Sequence, residues 1–217
     1  MTVQDQTQQE PLLGIDVIGF GVGEFVYLLN VFEGPARDRS VSVFRAEEMV
    51  DDVTLSTAGA SSLLARDMAT VDEDGDLGVT GVAAAVATAL GKANRWTEIA
   101  LLTGEAMDNV ALVEAPGASL MLQPRMLGTW FVFAQDPEIS SAEATLRVVR
   151  QHVEQNQGGS AYLVFKTLGS EQHLLIRRED SRWTTGIPDF DKDEVAETPG
   201  LDDAGLLAAI EDARGAA

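Results

Sequence analysis

The chain has 217 residues, enough to bury a sizeable core as one large domain or as two intimately packed halves. It has no cysteine, which excludes disulfides, thiolate zinc sites and thiol nucleophiles. Fifteen Lys and Arg stand against 35 Asp and Glu, and this net charge of -20 disfavours nucleic acid and anionic membrane as partners.

Residues 1–11, "MTVQDQTQQEP", are polar and lack the basic and apolar regions of a leader, so they read as a flexible tail. A single domain is expected over 12–217, with 12–135 and 136–217 as candidate halves. No run approaches the length of a membrane span, and the expected address is cytoplasmic.

An apolar run at Ile15–Phe20 leads into glycines at 19, 21 and 23. Phe25, Leu28, Leu29 and Phe32 then recur at helical spacing and predict a helix over 23–32. "SVSVF" reads as a strand ending at Phe44. Ser56 or Thr57 is expected to cap a helix carrying Leu63, Leu64 and Met68. Asp72–Asp76 reads as a solvated turn before a second helix, which starts near Thr80 and places Val82, Val86, Ala89 and Leu90 on one side.

Four apolar stretches fill 97–134, and links too short for crossover helices predict an antiparallel meander. Pro124 cannot donate to a ladder, so the chain is expected to leave the sheet there. The clearest helix follows Ser140: Glu143 has capping-box spacing, Ala142, Leu146, Val149 and Val153 form one stripe, and Gly158-Gly159 ends it. Three strand candidates occupy 160–186. An acidic loop at Asp189–Glu197 precedes a last helix around Leu206, Leu207 and Ile210. The order predicts an α+β fold of antiparallel meanders flanked by helices, with two loosely similar halves.

The glycines fail the dinucleotide fingerprint, because its third position falls on Glu24 or Val26 according to register. A strand feeding a helix is the better reading, and no cofactor is expected. Asp72, Asp74 and Asp76 have calcium-loop spacing, but Leu77 replaces the required Gly and Ala83 the bidentate Glu. His152 and His173 stand in no paired-ligand spacing, so no metal is expected. Ser61-Ser62 and Ser140-Ser141 lack the nucleophile-elbow context, and no carboxylate pair is singled out. Trp96, Trp130 and Trp183 are assigned to the core.

What remains is "LMLQPRML". Met121, Met126 and Leu127 flank the expected Pro124 turn, and methionine suits an adaptable contact surface. These three are the candidate partner-binding residues; the alternative points Met121 and Leu127 into the core from strand ends.

The stretch from Leu55 to Gly104 resembles the early helix–turn–helix–strand region of EspG-type chaperones from type VII (ESX) secretion systems of actinobacteria. Leu63, Leu64, Arg66, Asp74, Gly75, Leu77, Ala85, Leu90, Trp96 and Leu101 carry the likeness. Residues 160–186 look like that family's second strand group. The resemblance implies a cytosolic chaperone without enzymatic activity or cofactor, holding a helical substrate of PE/PPE type. Another binding or regulatory domain, or an enzyme using carboxylates, is the alternative reading.

Overall fold

The computed structural model describes residues 17–217; the expected tail at 1–11 and the first residues of the expected domain lie outside the described residues. Nine strands form one antiparallel sheet. In chain order they are β1 (Ile18–Phe20), β4 (Arg95–Thr103), β5 (Ala106–Ala115), β6 (Ala118–Arg125), β7 (Thr129–Ala134), β8 (Ser160–Lys166), β9 (Glu171–Glu179), β10 (Arg182–Asp189) and β11 (Glu194–Leu201). The spatial order is β1-β7-β6-β5-β4-β8-β9-β10-β11. The two expected meanders are therefore present, and β4 and β8 join them edge to edge.

Both faces of the central strands are apolar. On β4 and β5, Trp96, Ala111 and Val113 point to one core, while Ile99, Leu101, Val110 and Leu112 point to the other. The first core is closed by α1 (Val22–Leu29), α2 (Pro35–Val43), α3 (Val53–Ala65) and α4 (Gly81–Lys92). The second is closed by α5 (Ser141–Gln155) and α6 (Asp203–Ala216). The Ser140 hydroxyl accepts from the Glu143 N–H and caps α5, as its spacing predicts.

Several local expectations are corrected. Residues 40–43 are helical, because Pro35 opens α2 and the two serines do not alternate into solvent: Ser40 is buried, donates to the Leu90 carbonyl at 2.6 Å and accepts from Trp96 Nε1 at 3.0 Å. Asp52, not Ser56 or Thr57, caps α3, and Met68 lies beyond its end. Val82 is exposed, while Ala83, Val86, Ala87, Ala89 and Leu90 form the buried side of α4. The Asp72–Asp76 loop joins β2 (Ala69–Val71) to β3 (Leu77–Val79) in a small hairpin rather than joining two helices. The segment expected as an acidic loop ends β10 and begins β11. Nearly all of β11 is exposed, so no apolar alternation marks it in the sequence; Pro199 and its glutamates blunt the sheet edge.

The three early glycines serve packing. Gly21 precedes α1 and donates its N–H to Glu24 Oε2 at 2.9 Å, and α1 crosses α3 where Gly23 meets Gly59. A Cβ on Gly59 would lie 1.9 Å from the Gly23 carbonyl oxygen, so the two backbones pass with no room for a side chain. Glu24 is only 4% exposed. Ser62 Oγ donates to its Oε1 at 2.7 Å and Arg66 Nη1 to its Oε2 at 2.6 Å, while Arg66 Nη2 also reaches the Gly19 carbonyl. Burial alone would raise the Glu24 pKa, but the bonds from Ser62, Gly21 and Arg66 outweigh it and hold it below the 4.5 of an ordinary glutamate.

Gly59→Ala should lose about 1–3 kcal/mol in urea denaturation through overpacking. By contrast Gly215→Ala, whose Cβ would meet nothing within 4 Å, should gain up to about 1 kcal/mol. Glu24→Gln should lose about 1–3 kcal/mol at neutral pH. Because the folded-state pKa of Glu24 is depressed, its contribution is complete above the unfolded value and disappears as pH falls through the folded one. The stability gap between wild type and Glu24→Gln, measured across an acid titration, should therefore narrow below about pH 4.5 and not above it.

Candidate functional site

One end of the sheet carries the β4–β5 turn at Gly104-Glu105, the β6–β7 turn at Met126–Gly128 and the C-terminal end of α5. Two features meet there, an apolar tip and a cleft.

The tip comes from the β6–β7 turn, a single 3-10 turn in which Thr129 Oγ1 donates to the Met126 carbonyl. Met126 is 80% exposed and Leu127 is 95% exposed. Leu127 sits at φ 61°, in the left-handed region that an unassisted leucine avoids. Met121 is different. It is 6% exposed and packs in the second core, so it belongs to the fold and not to a docking patch. The expectation that the chain leaves the sheet at Pro124 is also corrected: Pro124 pairs with Trp130 inside β6. The β5–β6 ladder has already ended at the Ala111–Leu122 pair, so no β5 bond is asked of the missing N–H.

Beyond that pair, the β4–β5 and β6–β7 hairpins run on without a ladder between them. The cleft lies beside this split and has a volume of about 780 Å³. Leu101, Val110, Phe131 and Phe133 form its apolar floor, with Val148 and His152 of α5 as a wall. Gly19, opposite Phe131 on β1, adds no side chain to the floor. Among the described residues two of the lining side chains are charged, Asp108 and Arg125. The Arg125 guanidinium lies over the Phe131 ring, 5.4 Å from its centroid, and Nη2 donates to Gln123 Oε1 at 2.8 Å. This arginine was not singled out in the sequence, where it reads only as one residue of a turn.

The histidines have separate tasks. His152 Nε2 lies 3.0 Å from the Leu102 carbonyl and 3.3 Å from Thr103 Oγ1, which ties α5 to β4. His173 is on the opposite sheet face, with Nδ1 2.6 Å from the Tyr162 hydroxyl and Nε2 3.3 Å from Glu171 Oε1. Burial raises the Tyr162 pKa, helped by the nearby charges of Glu171 and Glu98, so the phenol keeps its proton. Trp96 and Trp183 are fully buried, the latter donating from Nε1 to Asp203 Oδ1 at 2.7 Å. Trp130 stacks on Phe25 at 4.7 Å against the first core. Ser61-Ser62 lie on α3, where Ser62 serves Glu24; Ser140 is a cap.

Among the described residues no three His, Asp or Glu side chains are gathered to hold a metal ion. In the Asp72–Asp76 turn, Asp72 Oδ1 is engaged by the N–H groups of Asp74 and Asp76, as in an Asx-type turn. Calcium and NAD should each leave the melting temperature unchanged; a ligand at 100 times its dissociation constant would add about 2.7 kcal/mol, which a thermal scan detects. Among the described residues no helix is long and apolar enough to cross a membrane. In comparisons with known proteins, the chain matches no family model and no curated sequence.

Proposed function

We propose that this chain is a noncatalytic, cytoplasmic protein-binding module, an EspG-like chaperone that holds a helical secretion substrate of PE/PPE type by its exposed apolar tip. The observation that carries this reading is the β6–β7 turn. Met126 and Leu127 expose their apolar side chains while Leu127 occupies a backbone conformation costing roughly 1–2 kcal/mol, with no burial in return. A bound apolar surface would supply that burial. The resemblance to the EspG family supports the same reading to the extent that helix α3, Ala-rich α4 and β4 follow in the implied order, with the β2–β3 hairpin standing where a turn is expected. The charge of -20 favours a partner whose apolar face is rimmed by basic residues.

The test is co-expression with a PE/PPE-type protein from the same genome. Wild type should co-purify with it. Met126→Asp should abolish capture while shifting stability by less than about 0.5 kcal/mol, as exposed substitutions usually do. Leu127→Gly should also weaken capture, yet leave stability equal or raise it by up to about 1 kcal/mol, because glycine relieves the left-handed strain. Undiminished capture by both variants would remove the turn as the docking site, and no capture by wild type would remove the chaperone reading.

A further inference from the structure

The cleft beside the sheet split carries an inference that does not rest on the docking role of the Met126–Leu127 turn. Ten of the fifteen Lys and Arg side chains lie within 4.0 Å of a carboxylate. Arg125 does not, among the described residues, although acids outnumber bases by 35 to 15. Among the described residues its Nε is buried without an acceptor, and only Nη2 is engaged, by Gln123 Oε1. Gln123 is itself 8% exposed and lines the cleft, so its oxygen is committed to Arg125 and its amide N–H groups remain as donors at the same wall. Asp108, the one acid lining the cleft among the described residues, makes no ion pair with Arg125.

A half-buried guanidinium set against the Phe131 ring favours an anion that brings its own apolar body. A single guanidinium matches a single negative charge, and the field of a strongly acidic chain opposes a multiply charged ligand. The volume of about 780 Å³ falls in the range of small-molecule sites. We propose that this cleft binds a small monocarboxylic acid with an apolar chain or ring. Its carboxylate engages Arg125 and Gln123, and its body lies on Phe131, Phe133, Leu101 and Val110.

The probe is decanoate, titrated calorimetrically into the full chain beside its uncharged methyl ester. Decanoate should bind saturably and about ten-fold or more tighter than the ester. Arg125→Met should remove that preference and Arg125→Lys should restore part of it. If Arg125→Met is too unstable to titrate, the wild-type comparison decides alongside proton NMR. Decanoate should then shift the ring signals of Phe131 and His152 before those of His173, which lies on the other sheet face. Equal binding of acid and ester, a preference that survives Arg125→Met, or no saturable binding would overturn the assignment. Tighter binding of N-acetylated tetraleucine with a free C-terminus than of decanoate would overturn it too, by giving the site to a peptide carboxylate.

Discussion

Strands β4 and β5 cannot be exposed on either side. Each carries large apolar side chains up and down, so a helical layer is needed above and below them, and the arrangement of the rest follows. The two layers do not cover the same ground. The four N-terminal helices close one face toward β1, and α5 and α6 close the other face toward β10. The sheet is thus covered in an offset manner. The face beneath β7 and β6 and the outer face of β8 to β10 are left partly open. The cleft at Arg125 lies on the first of these surfaces and the Tyr162–His173–Glu171 chain on the second.

Within the N-terminal layer, a buried carboxylate does what an apolar contact could not. Glu24 joins the start of α1 to the last turn of α3, and Arg66 carries the link on to the Gly19 carbonyl of β1. The glycine pair at 23 and 59 permits the helix crossing close enough for these bonds to form. A buried acid with all its partners present fixes one geometry, and alternative packings of the two helices would strand a charge.

The meanders were legible because their links are too short to be anything else, and α5 was legible because cap, stripe and terminator agree. Failures have physical causes. "SVSVF" alternates like a strand, yet Ser40 is buried by a hydrogen bond to a residue fifty positions away, which local pattern does not contain. Strand β11 has no buried face and so no apolar signal. The exposure of Met126 and Leu127 agreed with the composition of their turn, whereas Met121, from the same short stretch, faces the core because the strand continues past it. Arg125 gains meaning from having no carboxylate within 4.0 Å among the described residues, and that spacing cannot be read along a chain this rich in acids.

The pairing of β1 with β7 sets an order of events for assembly. Ile18 pairs with Val132 and Phe20 with Trp130, so the first described strand has no partner until the fourth strand of the meander exists. During synthesis the N-terminal helices emerge long before the sheet surface that covers them, with Phe25, Leu28 and Leu29 awaiting Val113, Leu122 and Val132. Contacts of such long sequence separation slow folding, because the loop must close before any of them is rewarded. The N-terminal layer therefore stays uncovered until Val132 has emerged, whereas the second core waits longer still, for Leu206 and Ile210 of α6.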